Sequence, residues 1–76
     1  MTLYDFVQLS EVEKANTVFE ARFLSCKEDD NETVALYRVD DFFCEVVYDN
    51  INNSIVKMKP FRNKELVDQF FAYQMN

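Results

Sequence analysis

The sequence predicts an α+β domain, a four-stranded antiparallel meander with an N-terminal and a C-terminal helix packed on one face. Three observations predict it. A capping signal at Ser10 precedes apolar residues at helical spacing. Residues 22–59 carry strand-like apolar runs separated by Asp- and Asn-rich turns. After Pro60 a wide apolar helical face returns.

Ser10-Glu11-Val12-Glu13 fits a capping box, with Ser10 at the N-cap and Glu13 three residues on. Leu9, Val12, Ala15, Asn16 and Phe19 follow at helical spacing, which predicts a helix over Glu11–Ala21 with that face inward. Thr2 is placed to cap a short helical turn through Phe6. The strands are expected at Arg22–Glu28, Thr33–Val39, Phe42–Tyr48 and Ile55–Lys59, the last ended by Pro60. Asn63 then caps a helix from Lys64 to Gln74, with Leu66, Val67, Phe70, Phe71 and Tyr73 on its apolar face. Gly is absent, so Asn and Asp must make the turns, since they tolerate left-handed backbone best among the rest.

Alternation fixes the register. Phe42, Cys44, Val46 and Tyr48 share one side of their strand and should face the helices. A tight turn at Asp40-Asp41 pairs Val39 with Phe42, Tyr37 with Cys44 and Ala35 with Val46. A turn across Asn50–Ser54 pairs Val46 with Met58 and Tyr48 with Val56, and it sets Glu45 opposite Lys59 as a cross-strand ion pair. The outer face then carries Val34, Leu36, Phe43 and Val47. Two helices on one side leave that face open, so these four residues are the expected contact surface for a protein partner or a second copy of the chain.

A chain of 76 residues has room for one domain, residues 1–76, whose core supplies only about 3–5 kcal/mol unless something adds to it. Eight Phe and four Tyr set it apart from disordered tails and exceed what a small core hides, which favours self-association. The net charge is −6, and residues 1–56 hold four Lys/Arg against twelve Asp/Glu. Phosphate backbones are bound by Lys and Arg, so nucleic acid is not an expected partner, although Lys57, Lys59, Arg62 and Lys64 form a small basic stretch. The N-terminal residues lack the basic and apolar regions of a secretory leader, and no apolar run approaches membrane-spanning length. The expectation is a cytoplasmic protein with reduced thiols.

Catalytic chemistry is poorly supplied. The absence of His removes Ser-His-Asp and Cys-His arrangements and the usual catalytic zinc sites. The absence of Gly removes the glycine-rich phosphate loops. Cys26 and Cys44 fall on the first and third strands, about 9–10 Å apart, beyond the roughly 7 Å limit for a disulfide, and read as two small buried apolar residues. Asp29-Asp30-Asn31-Glu32 lacks the spacing of a calcium loop and reads as a solvated turn. No catalytic residue, metal or cofactor is expected.

Thr2-Leu3-Tyr4-Asp5-Phe6, Leu9-Ser10-Glu11, the run from Asp41 to Tyr48, and Lys59-Pro60-Phe61 together resemble a family of short, uncharacterised gut-bacterial proteins. The resemblance spans nearly the whole chain, with Cys44 standing where that family more often has Val. It implies a small helix–sheet–helix fold and carries no activity or site residues.

The expected function is a non-enzymatic protein-interaction module, homodimeric through the outer sheet face. The alternative is an acidic inhibitor or antitoxin-like factor that mimics nucleic acid toward a basic partner, using Asp29, Asp30, Glu32, Asp40 and Asp41.

Overall fold

The computed structural model describes residues 1–64, 67 and 68. Its elements are α1 (Leu3–Val7), α2 (Glu11–Phe19), β1 (Arg22–Glu28), β2 (Glu32–Val39), β3 (Phe42–Asp49) and β4 (Ser54–Phe61). The four strands form one antiparallel sheet in chain order, the expected meander.

Both helices start on reciprocal capping boxes. The Asp5 N–H donates to Thr2 Oγ1 at 3.1 Å and the Thr2 N–H donates back to Asp5 Oδ2 at 3.1 Å. At α2 the Glu13 N–H donates to Ser10 Oγ at 3.2 Å and the Ser10 N–H to Glu13 Oε1 at 3.1 Å. Each box satisfies donors that a helix start leaves unpaired. Helix α2 stops at Phe19, earlier than the expected Ala21, because the Ala21 N–H turns to the Val18 carbonyl at 3.0 Å and β1 begins at Arg22.

The expected inward face of α2 holds at Leu9 and Ala15 and is corrected at Val12, Asn16 and Phe19. Val18 is fully buried, with Lys14, Ala15 and Ala21 half-buried, whereas Val12 and Phe19 are exposed. The helix is rotated about its axis so that the small Ala15 and Ala21 lie toward the sheet and the larger Val12 and Phe19 do not. Alanine permits close approach of helix and sheet, which the larger side chains would prevent.

The β2–β3 register is as predicted, Val39 opposite Phe42, Tyr37 opposite Cys44 and Ala35 opposite Val46. Val46 also faces Met58. Past that point β3–β4 slips at a shift between Val47 and Tyr48, so Tyr48 meets Ile55 where Val56 was expected. Val56 is left exposed. Glu45 and Lys59 are register partners, but among the described residues no ion pair closes between them. A second shift, between Phe23 and Ser25, places an extra residue in β1 opposite β2. Strand β4 runs through Pro60 to Phe61, beyond its expected end. It is an edge strand, where a residue without an N–H is tolerated.

Asp40 (φ 53°) and Asn53 (φ 60°) take the left-handed backbone of two of the turns, as a chain without Gly requires. Asp29 Oδ1 accepts from the Asn31 and Glu32 N–H groups, each at 2.8 Å, and Asp49 Oδ1 from the Ile51 N–H at 2.8 Å. Asn50 ties these two turns together, donating its N–H to the Asn31 carbonyl and its Nδ2 to the Asp29 carbonyl.

Each face of the sheet carries its own apolar cluster. On the first, Phe6 of α1 and Val18 of α2 pack with Val39, Phe42, Cys44 and Val46, and the Phe6 and Phe42 rings meet at 5.4 Å. On the second, Leu36 is buried with Val67, and Leu24, Val34, Phe43 and Phe61 pack against the pair. Lys64, Val67 and Asp68 are helical, at the start of the expected C-terminal helix. The rest of that expectation, with Leu66, Phe70, Phe71 and Tyr73, lies outside the described residues. Val67 is the described apolar residue of that segment. This residue joins the Leu36 cluster, while α1 and α2 cover the Cys44 side.

Candidate interaction surface

The four expected contact residues do share one face. Val34 is the register partner of Val47, Leu36 of Glu45, and Phe43 of Arg38. Their exposure is the correction. Leu36 is fully buried, and Val34, Phe43 and Val47 are half-buried. Phe43 stacks on Phe61, with ring centres 5.8 Å apart and planes inclined by 27°. Strand alternation sets these side chains on the outer face correctly, but Val67 and Phe61 make that face a second small core. Lys57 and Lys59, opposite Val47 and Glu45, add charge along the β4 edge.

Among the described residues, a group of exposed apolar side chains lies on the other side. Val12 is 71% exposed, Phe19 53% and Phe23 54%. Val12 and Phe19 lie seven residues apart, two turns along one flank of α2, and Phe23 follows at the start of β1. Tyr37 of β2 joins them. Phe19 meets its ring edge-on at 6.2 Å and Phe23 at 5.7 Å. Desolvation in this half-buried cluster raises the Tyr37 hydroxyl pKa above its ordinary 10.0. Helical spacing put Leu9, Val12, Ala15, Asn16 and Phe19 on one face of α2 and left out Val18, which is the residue of this helix that is fully buried.

The flank is bordered by acid. Helix α2 contains Glu11 and Glu13, with Glu20 at its C-cap, against one cation, Lys14, whose Nζ lies 3.5 Å from Glu11. The acidic turn residues do not form one patch. In an antiparallel meander, the β1–β2 and β3–β4 turns lie at one end and the β2–β3 turn at the other. Asp29, Asp30 and Glu32 are therefore separated from Asp40 and Asp41 by the length of the strands. The Asp29 and Asp49 carboxylates are held below their ordinary range by the N–H groups of their own turns.

The cysteines differ from each other. Cys44 is buried and its thiol is pushed up to about 12 by desolvation. Cys26 is exposed on the edge strand β1, so the expectation that both are buried holds only for Cys44. Strand β2 lies between them. Among the described residues no cluster of His, Cys, Asp or Glu could hold a metal ion, and no helix is long and apolar enough to cross a membrane.

No family model, curated protein or solved structure matches this chain. Its functional reading therefore rests on the surface just described.

Proposed function

We propose that this chain is a non-enzymatic protein-interaction module that docks a cationic, apolar segment of another protein. The observation that carries this reading is the exposed Val12–Phe19–Phe23 flank beside Tyr37. Exposed aromatic side chains grouped on one surface are characteristic of docking sites. Charge selects the occupant. The Glu residues of α2 would face each other if two copies paired through this flank, whereas Lys or Arg beside an apolar anchor would be attracted. Acidic mimicry of nucleic acid has less support, because the carboxylates it would use are divided between opposite ends of the sheet.

The test uses a synthetic amphipathic helix of Leu and Lys as probe, titrated into the ¹⁵N-labelled protein. Saturable shifts at Val12, Phe19 and Phe23 are expected. The Phe19→Ser/Phe23→Ser variant should bind at least ~10-fold more weakly, the loss expected when about 1.4 kcal/mol of anchor contact disappears. Unchanged binding by that variant would refute the surface. Sedimentation run in parallel checks the occupant. A dimer that the same substitutions dissociate would replace the cationic partner with a second copy.

A further inference from the structure

A separate feature lies where β1 starts and β2 ends. A notch of about 490 Å³ opens there, with Arg22, Arg38, Glu20, Asp40 and Met1 in its lining. Arg22 and Arg38 are register partners, directly opposite each other on adjacent strands. Like charges in that position destabilise a sheet. The first 56 residues hold only four Lys/Arg against twelve Asp/Glu, and two of those four stand together here.

The carboxylates at the notch leave the pair uncompensated. Asp40 Oδ2 accepts from the Met1 ammonium at 2.6 Å. Arg38 Nε donates instead to the Asp40 main-chain carbonyl at 3.1 Å, which leaves its two terminal nitrogens available. Among the described residues neither arginine forms an ion pair with a carboxylate. Glu20 is the other carboxylate in the lining, and Asp5 and Asp41 lie close enough to act on the Met1 ammonium.

We propose that this notch binds inorganic phosphate or a small phosphate monoester, held between the Arg22 and Arg38 guanidinium groups. Each guanidinium presents a planar fork that matches two oxygens. A lone carboxylate is satisfied by one fork, whereas a phosphate has oxygens for both. The notch also has room beyond a bare phosphate, enough for a small esterified group. Glu20 opposes the bound dianion and sets an upper limit on affinity.

Inorganic phosphate is titrated into the ¹⁵N-labelled protein at constant ionic strength, with chloride as the comparator and phenyl phosphate as a second arm. Saturable amide shifts at Arg22, Arg38, Val39 and Asp40 are expected with phosphate and not with chloride. Arg22→Gln should weaken binding at least ~10-fold, and Glu20→Gln should tighten it about 3-fold as a like charge leaves. Lys57→Gln, on the far edge strand, should change it less than about 2-fold. Arg22 makes none of the turn contacts of Arg38, so its substitution tests the site even if Arg38→Gln disturbs the hairpin. Tighter binding of phenyl phosphate assigns the site to monoesters, and equal binding assigns it to the free anion. Non-saturating shifts, or equal losses in Arg22→Gln and Lys57→Gln, would overturn the proposal.

Discussion

The two faces of the sheet obey the same two-residue alternation and are covered differently. Among the described residues, the Cys44 face packs residues of both capped helices and buries Phe6, Val18, Val39, Phe42, Cys44 and Val46. Among the described residues, the Leu36 face buries Leu36 and Val67, ringed by half-buried Leu24, Val34, Phe43 and Phe61. Alternation assigns a side chain to a face. What covers that face depends on residues distant in the chain, and burial follows the cover. Val46 and Val47 are neighbours of one type on opposite faces, the first 2% exposed and the second half-buried.

The comparison is broken most forcefully at Phe42. Its ring is fully buried against Phe6 at the centre of the larger cluster. Phe42→Ala should cost about 3–5 kcal/mol through lost burial and a residual cavity. That equals the roughly 3–5 kcal/mol expected of so small a core, so the variant should be largely unfolded by circular dichroism at 25 °C. A cooperative thermal transition near that of the wild type would show that the helical face is not the dominant core.

Leu36→Ala tests the second face. Leu36 is as completely buried as Phe42, but among the described residues its cluster is smaller and most of its neighbours are half-buried, so the site can relax or admit water. The expected cost is about 2–3 kcal/mol, toward the lower end for a buried leucine. Urea titration of a folded variant would measure it. A loss below about 1 kcal/mol would mean that Val67 shields Leu36 without supporting it, and the outer face would again be available as the contact surface the sequence suggested.

The alternation and the two capping signals made much of this fold legible in advance. Phe42, Cys44 and Val46 all lie beneath helices, and the Asp40-Asp41 turn sets the predicted partners. Four features were not legible, each for a physical reason. Val12 and Phe19 satisfy helical period as well as Val18 does, and only the sheet beneath decides which flank is buried. The slip at Val47/Tyr48 displaces Val56 by one residue, which hydropathy does not mark. The outer residues of β2 and β3 look the same in sequence whether covered or open, so the burial of Leu36 and the half-burial of Val34, Phe43 and Val47 could not be read from them. The Arg22–Arg38 notch joins residues sixteen apart, and the shift in β1 fixes how they meet.

The smallest effect separates the faces by acid. Asp5 is held below its ordinary 3.8 by the Thr2 N–H and hydroxyl, and Glu13 below its ordinary 4.5 by those of Ser10. Both carboxylates cap helices whose residues pack on the Cys44 face. A carboxylate with a depressed folded pKa binds fewer protons in the native state, so its contribution is complete above the ordinary value and is lost as pH falls through the folded one. Melting temperature should therefore decline as pH drops below about 4.5, the ordinary Glu value. Asp5→Asn/Glu13→Gln keeps an acceptor at each cap but removes its titration. This variant should be slightly less stable at neutral pH and lose less on acidification, with the residual slope left to Asp29 and Asp49 in the turns. An unchanged slope would assign the acid response to those turns and detach it from the helices altogether.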